Sequence, residues 1–209
     1  RCGATIRTVE KTHAEYRVSL ADGGVLLADA VMLAIGRTPM TDGLGLAAAG
    51  LGVDAAGALA VDEFSRTAVP SIHAVGDVTN RVNLTPVAIR EGHAYAETVF
   101  GGKSIAVDHD TIPTAVFSTP EIGTVGLTEA AARRRHGDVD IYKSSFRPMK
   151  ASLGTRPEKM LMKIVVEATS DRVLGVHILG PDAAEMVQLL AVAIRMGARK
   201  ADLDATMAL

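Results

Sequence analysis

The sequence has very little cysteine and no long apolar run. Cys2 is the single cysteine among 209 residues, so an internal disulfide is impossible, and we expect a reducing compartment, the cytoplasm. The histidines stand apart, with no cysteine or carboxylate at ligand spacing, so the sequence predicts no metal site. The longest apolar runs, such as VMLAIG and LLAVAI, are far too short to cross a bilayer.

An excess of charge of one sign is also lacking. The net charge is −2 and no long basic run is present, which argues against a dedicated nucleic-acid or membrane-surface binder. Hydrophobic residues make up 48% and charged residues 22% of the chain, as in ordinary globular proteins. The chain is long enough for one or two domains with a substantial core.

The first half of the chain is dominated by short predicted strands. EYRVSLADGGVLLADAVMLAIG alternates in polarity, turns at Asp22–Gly24 and ends in a continuous apolar run over Ala30–Ile35, which predicts a hairpin feeding a buried strand. LAVDEFSRT and SIHAVGD predict two more strands. TPVAIREGHAYAETVF predicts a helix that ends at Gly101 and Gly102.

After about Ala106 the pattern changes to an α+β unit with strands grouped together and helices on one side. TIPTAVFSTPEIGTVG predicts two strands with a proline break, LTEAAARRR a short helix capped by Thr128, and VDIYKSSFRPM another strand. KMLMKIVVEATSDRVLGVHILG predicts an antiparallel hairpin that turns near Ser170 and Asp171. The chain therefore contains the end of one domain, part of a second and a nearly complete third.

A final amphipathic helix is predicted from Asp182, as its cap, to Gly197. One face carries Val187, Ala191 and Ile194, and can cover the predicted hairpin formed by residues 160–168 and 173–180. The other carries an apolar stripe of Met186, Leu189, Leu190, Ala193 and Met196. A second apolar face needs a covering partner, so we expect a two-fold homodimer; the alternative is burial of both faces within one subunit.

The stretch HAVGDVTNRVNLTPVAIREGH predicts a ligand site. Asp77 follows a predicted strand, where open α/β sheets bind ligands, and Gly76 permits close approach to the backbone. Thr85 can cap the next helix and Pro86 suits its first turn, so the positive helix end faces an anion or electron-rich oxygen. Taken singly, both features are more often an ordinary turn and an ordinary cap. Together they suit a polyhydroxyl chain joined to an electron-accepting ring, as in a flavin.

Four segments together resemble the pyridine nucleotide–disulfide oxidoreductases: AIGRTP, SIHAVGDVTNRVNLTPVAI, IPTAVFSTPEIGTVGLTE and VLGVHILGPDAAEMVQLLAVAIRMGARKADLDAT. Within that family, FRPMKA and DVTNRVNLTPVAI are most similar to the glutathione reductases. The resemblance implies the end of an NADPH-binding domain at 1–37, a segment of an FAD-binding domain at 38–105, and an interface domain at 106–209 that forms a homodimer.

The resemblance also implies roles for particular residues around the cofactors. Asp77 is expected to bind the ribityl chain of FAD, with Leu84 and Thr85 beside the pyrimidine side of its ring. There the positive helix end would stabilise negative charge that develops on reduction. Gly36 and Arg37 are expected to close the pyridine-nucleotide domain beside nicotinamide and flavin.

Three further residues are implied in substrate binding. Phe146 and Met149 match positions that line the disulfide pocket of the partner subunit, although apolar residues of this kind are often core. His93 stands where some glutathione reductases carry an arginine that meets a substrate carboxylate. A histidine there binds less strongly and in a pH-dependent manner, and the alternative is a plain surface residue. Arg90 is close to His93 in sequence, but we do not expect the two side chains to project from the helix in the same direction.

Several expected parts are missing from the sequence. The family's catalytic dithiol, FAD fingerprint and NADPH glycine motif are absent, and Cys2 lies in the wrong domain to replace the dithiol. The family's catalytic histidine is expected just after Leu209, so we expect a C-terminal portion without catalytic residues, inactive alone and holding FAD weakly or not at all. The parent would reduce glutathione disulfide with NADPH. The alternatives are dihydrolipoamide dehydrogenase, mercuric reductase, trypanothione reductase, or a non-catalytic dimerisation module.

Overall fold

The structure is a computed structural model that describes residues 1–155 and 157–207. The chain divides into two compact units. The first contains residues 1–62 and 66–83, and the second contains residues 63–65 and the chain from residue 84 onward. Across the described residues, no helix is both long and apolar enough to span a membrane.

The first unit begins with a small antiparallel sheet of three strands. In order across the sheet these are β1 (Ile6–Lys11), β2 (Tyr16–Leu20) and β3 (Val25–Ala28). The turn between β2 and β3 uses Gly23 at φ 84° and a hydrogen bond from the backbone N–H of Gly24 to Asp22 Oδ1, 2.9 Å long. The predicted hairpin is therefore confirmed.

The predicted apolar strand over Ala30–Ile35 is wrong. This segment has no regular secondary structure, and Met32 and Ile35 are 87% and 90% exposed. A strand is held by ladder hydrogen bonds to a neighbouring strand, and no strand among the described residues pairs with this segment. Apolar character alone does not supply those bonds.

The two strands predicted in LAVDEFSRT and SIHAVGD are also wrong, because only an isolated bridge joins Arg66 to His73. Local bonds replace the ladder. Asp62 Oδ1 accepts a hydrogen bond from the backbone N–H of Arg66 at 2.9 Å, and Thr67 Oγ1 donates to the carbonyl of Ile72 at 2.7 Å. These bonds form turns around a small core centred on Leu51, Leu59 and Ala74.

The second unit is the predicted α+β unit, preceded by helix α1 (Thr85–Val99). Its sheet is antiparallel throughout, in the order β4 (Thr114–Val116), β5 (Ile122–Gly126), β8 (Val173–Leu179), β7 (Met160–Glu167) and β6 (Val139–Phe146). In the described part of the chain, four more helices follow α1: α2 (Glu129–His136), α3 (Met149–Ser152), α4 (Ala183–Arg195) and α5 (Lys200–Ala205). The predicted fold class, the β7–β8 hairpin and the Thr128 cap, which accepts from the N–H of Ala131 at 3.3 Å, are confirmed.

Helices pack against the two faces of this sheet around two separate apolar clusters. The α4 side is built on Val125, Met160, Val166, Val173, Val176, Ile178, Ala183, Val187, Ala191 and Ile194. The α2 side is built on Ala132, Val139, Val165 and Leu174. β5 lies close to α4 because Gly123 has no side chain: a Cβ there would stand 2.4 Å from the carbonyl oxygen of Ala183.

Helix α4 begins differently from the prediction. Asp182 occupies the cap position with φ 62°, but its carboxylate makes no capping hydrogen bond and instead binds the ammonium of Lys150. Glu121 Oε2 accepts from the backbone N–H of Ala184 at 3.3 Å and supplies the missing acceptor. At the other end, Gly197 adopts φ 81° as predicted for a helix stop.

The apolar stripe of α4 divides into a covered part and an exposed part. Met186 and Leu190 pack against the core, whereas Leu189 and Met196 are 74% and 82% exposed. Val192, 56% exposed, extends the uncovered part. We call Leu189, Val192 and Met196 the outer face of α4.

His177 is half-buried between β5 and β7 and is held in its neutral form. Its Nε2–H donates to the carbonyl of Leu127 at 3.1 Å, and its Nδ1 lies 2.9 Å from the hydroxyl of Thr124. Burial lowers the pKa of His177, the charge of Lys163 lowers it further, and the bond to the Leu127 carbonyl partly opposes these effects.

We predict that His177 makes the fold sensitive to mild acid. Because its pKa is lower in the folded chain, the unfolded chain binds the extra proton first, and stability falls as pH drops below about 6.5. The free energy of unfolding, from urea titrations between pH 7.5 and 5, measures this effect. His177→Gln is expected to flatten the curve, whereas His13→Gln in an exposed loop leaves it unchanged; equal slopes in both variants would contradict the assignment.

Candidate functional site

Gly76 and Asp77 lie in a 3-10 turn, Gly76–Thr79, in the first unit. Gly76 is buried with φ 72°, a conformation that favours glycine, and Thr79 Oγ1 donates to its carbonyl at 2.8 Å. The Asp77 side chain is exposed and accepts no hydrogen bond from the residues that the structure describes. An exposed carboxylate on a firmly bonded turn can accept hydrogen bonds from ligand hydroxyls.

The tip of α1 differs from the prediction in its cap. Leu84, with φ −132° and ψ 133°, is the cap residue, so Thr85 is the first helical residue and Pro86 the second. No side chain caps this end, and Thr85 as a cap is therefore wrong. Without a side-chain cap, the first backbone N–H groups of this 15-residue helix stay available to a ligand. The positive end of the helix can therefore still face an anion or an electron-rich oxygen.

Gly36 and Arg37 lie in the irregular segment after β3. Gly36 has φ 104°, and both residues are exposed. Because the preceding residues form no strand, these two do not stand at a sheet edge in this structure. Their expected role beside the nicotinamide stays a prediction.

His93 lines a surface cavity of about 750 Å³ in the second unit. The other lining residues are Arg90, Ala96, Glu97, Phe100, Gly101, Lys103 and Ile105. Arg90 precedes His93 by three residues, so their directions around the helix differ by about 60°, and both residues border this cavity. One cavity is therefore lined by both residues.

The charges in this cavity are not equally engaged. Lys103 Nζ lies 2.5 Å from Glu97 Oε2, and this hydrogen bond is the main reason that the pKa of Glu97 is lowered. The charges of Arg90 and His93 lower the same pKa by smaller amounts. Within the described part of the chain, neither Arg90 nor His93 forms an ion pair. The cavity thus offers positive charge to an anionic ligand.

Phe146 and Met149 lie on the surface rather than in the core. Phe146 ends β6 opposite Met160 and is 41% exposed, and Met149 opens α3 and is 87% exposed. Neither lines the cavity that contains His93. Neither residue is therefore part of the hydrophobic core of this chain. Their expected contact with a partner subunit stays a prediction.

Sequence reasoning missed a buried hydrogen-bonded pair on the buried face of α1. Glu91 is 1% exposed, and its Oε1 lies 2.7 Å from Nε2 of His109. The signal was present in the sequence: Glu91 shares the buried face of α1 with Val87 and Ala94, and an acid on an apolar stripe needs a polar partner. No group of three or more potential metal ligands occurs in the described residues.

The fold is shared with flavoprotein disulfide reductases. The HOCl-induced flavoprotein disulfide reductase RclA from Escherichia coli superposes with a TM-score of 0.88 at 25% identity, over 99% of this chain and 47% of that one. LpdA from Mycobacterium tuberculosis gives 0.84 at 27% identity, over 99% and 45%. These similarities define the class of protein.

The family follows from two matches. Residues 112–209 match the pyridine nucleotide-disulphide oxidoreductase dimerisation domain, and residues 1–92 match the pyridine nucleotide-disulphide oxidoreductase domain. The chain belongs to the pyridine nucleotide-disulphide oxidoreductase family, as its motifs predicted.

Curated relatives refine this assignment. The chain is 55% identical over 207 residues to glutathione reductase of Burkholderia cepacia, covering 99% of this chain and 46% of the relative. It is 46% identical to glutathione reductase of a Nostoc species, covering 97% and 47%, and 42% identical to trypanothione reductase of Trypanosoma congolense, covering 88% and 38%. The chain thus spans about half the length of the relatives it matches, and the predicted similarity to glutathione reductases is confirmed.

We predict that the Glu91–His109 bond stabilises the packing of α1. His109→Leu removes a hydrogen bond from a buried carboxylate and is expected to lower the free energy of unfolding by about 1–3 kcal/mol. His93→Leu, on the exposed side of the same helix, is the matched control and is expected to change it by less than about 0.5 kcal/mol. Urea denaturation followed by circular dichroism measures both, and equal stabilities would refute the prediction.

Proposed function

We propose that this chain is the C-terminal part of an NADPH-dependent flavoprotein that reduces glutathione disulfide through FAD and a redox-active dithiol. The observation that carries the proposal is 55% identity to a glutathione reductase over 99% of the chain. In this proposal residues 1–37 end the NADPH-binding domain, residues 38–105 belong to the FAD-binding domain, and residues 106–209 form the interface domain. A cytoplasmic location is part of the same proposal.

The residues present suit a bound FAD, which would accept hydride from NADPH and pass electrons to the dithiol. The proposal gives Asp77 the task of accepting hydrogen bonds from the ribityl hydroxyls, supported by its exposed carboxylate. The uncapped tip at Leu84 and Thr85 stabilises negative charge that develops next to it. Gly76 permits the left-handed backbone of this turn, with φ 72°, and in the proposal Gly36 and Arg37 border the nicotinamide side.

The substrate side of the proposal rests on residues of the second unit. His93 binds a carboxylate of the disulfide, and Phe146 and Met149 supply apolar contacts to the pocket of the partner subunit. The exposure of all three supports this assignment. A trypanothione reductase is the second candidate, because two relatives of that name are 42% and 45% identical to the chain.

The decisive experiment uses a chimera in which this chain replaces the matching residues of the Burkholderia cepacia glutathione reductase. The relative supplies the dithiol and the remaining flavin and NADPH contacts. We expect a yellow protein that oxidises NADPH with glutathione disulfide at a rate within about tenfold of the parent relative and prefers it to trypanothione disulfide. Flavin-loaded chimera without this activity, or with the opposite preference, would reject the proposal.

The chain alone is the control for that experiment. It lacks the dithiol and both nucleotide fingerprints, so we expect no turnover and little or no flavin after gel filtration. Measurable turnover by the chain alone, with FAD and NADPH added, would mean that chemistry resides in these residues. A non-catalytic dimerisation module remains the alternative if both proteins are inactive.

We further propose that residues 106–209 form a two-fold homodimer. The match of residues 112–209 to a dimerisation domain supports this, as does the uncovered apolar outer face of α4. Leu189, Val192 and Met196 lie three and four residues apart and so form one continuous strip along the helix. A self-complementary strip is the usual contact in a two-fold dimer.

We predict that Leu189→Asp shifts the chain from dimer to monomer. A carboxylate placed in an apolar interface loses its hydration without a partner, which is expected to weaken association at least tenfold. Sedimentation equilibrium at micromolar concentration measures this effect, with Gln188→Glu on the adjoining exposed position as the control. A monomeric wild-type chain, or an unchanged mass for Leu189→Asp, would exclude the outer face as the interface.

A further inference from the structure

The turn that presents Asp77 is held by hydrogen bonds on both sides of that residue. The hydroxyl of Thr79 donates to the carbonyl of Gly76 at 2.8 Å, and this carbonyl belongs to the peptide group that precedes Asp77. The carbonyl of Asp77, in the peptide group that follows, accepts from the backbone N–H of Asn80 at 3.0 Å. Because both planar peptide groups are held, the direction of the Cα–Cβ bond of Asp77 is held as well.

The two bonds differ in what they depend on. The bond from Asn80 joins two backbone groups and needs no particular side chain. The bond to Gly76 depends on the hydroxyl of Thr79, a residue that is only 8% exposed. That hydroxyl also accepts a hydrogen bond from Nε of Arg81 at 3.2 Å. Since it accepts from one partner and donates to the other, its orientation is fixed.

The same turn is joined to the core of the first unit. The backbone N–H of Leu59 donates to the carbonyl of Val78 at 3.0 Å, and the Val78 side chain packs against the cluster of Leu51, Leu59 and Ala74. The side chain of Asp77, by contrast, is exposed. A firmly held backbone beneath an exposed carboxylate lowers the ordering cost that a ligand must overcome on binding.

We propose that Thr79 is a positioning residue for the flavin: its hydroxyl holds the peptide group before Asp77, so that the Asp77 carboxylate is ready to accept hydrogen bonds from the ribityl hydroxyls of FAD. The inference rests on the proposed flavoprotein function and adds a residue that acts through Asp77. Hydrogen bonds weaken steeply outside a narrow range of distance and angle, so a small rotation of the turn is enough to weaken those of the carboxylate.

The test measures the dissociation constant of FAD from the chimera described above, by titrating the flavin-free protein with FAD and following flavin fluorescence. Thr79→Val keeps the shape of the side chain and removes its hydroxyl, and it is expected to raise this dissociation constant about tenfold. Thr79→Ser keeps the hydroxyl and is expected to remain within about threefold of wild type. If Thr79→Val does not fold, Thr79→Ala takes its place with the same expectation.

Thr67→Val is the matched control. Thr67 is also a buried threonine of the first unit, 9% exposed, and its hydroxyl donates to the carbonyl of Ile72 at 2.7 Å. Its loss is expected to lower stability to urea about as much as Thr79→Val does. The dissociation constant of FAD is expected to stay within about twofold of wild type, because Thr67 lies outside the Gly76–Thr79 turn.

A second measurement asks whether Thr79 acts through Asp77. In Asp77→Ala, which has no carboxylate to position, adding Thr79→Val is expected to change the dissociation constant of FAD by less than about twofold. A full tenfold effect in that background would mean that Thr79 acts by another route, and it would overturn the inference. If Asp77→Ala binds too little FAD to measure, the comparison of Thr79→Val with Thr67→Val decides.

An unchanged dissociation constant in Thr79→Val overturns the inference, and so does an equal rise in Thr79→Val and Thr67→Val, which marks a general loss of stability. A tenfold loss in Thr79→Ser also overturns it, because the hydroxyl is the proposed cause. If the wild-type chimera binds FAD but does not reduce the disulfide, the proposed function fails and the FAD affinities still decide on Thr79. A wild-type chimera that binds no FAD overturns both.

Discussion

Three consecutive side chains of the second unit each bond to a different helix. Asp108 binds Arg195 of α4 at 2.9 Å, His109 binds Glu91 of α1 at 2.7 Å, and Asp110 binds Arg135 of α2 at 3.2 Å. The outer two pairs are exposed and contribute little individually, because water and salt screen them. The central pair includes a carboxylate that is almost fully buried, so its loss leaves a large desolvation cost. Of the three contacts, the buried one is therefore expected to contribute most to stability.

Helix α1 links most of the proposed functions through this anchor. Its first turn presents an uncapped positive end, and one turn further on its exposed side presents Arg90 and His93. Its buried side carries Glu91 between Val87 and Ala94, and Glu91 bonds to His109 at 2.7 Å. Arg90 and His93 lie on the exposed side of the same helix, so one element carries both the buried bond and the cavity lining. Helix α4, bound to the same segment by Arg195, carries the proposed dimer contact.

Local pattern predicted the elements whose partners are near in sequence. The β7–β8 hairpin, α1, α2 and α4 follow from alternation, helical periodicity and turn residues. Prediction failed for Ala30–Ile35, which has the composition of a strand but pairs with no strand in the described part of the chain. The predicted cap by Asp182 is also wrong, since its carboxylate makes no capping bond and pairs with Lys150. For the site, motif resemblance identified the candidate residues, whereas the partner of Glu91, His109, is 18 residues away and was established only by the folded structure.

The acceptor at the start of α4 has a consequence for the order of folding. Glu121, whose carboxylate receives the N–H of Ala184, precedes it by 63 residues, and β8 and β7 must be synthesised before helix and strand can meet. Closing so long a loop is slow compared with forming a helix turn. We therefore expect the first turn of α4 to be completed late, after β5 has joined the sheet. Until β8 has been synthesised, one edge of β5 has no strand to pair with. We therefore expect this unit to be most prone to aggregation while its second half is being synthesised.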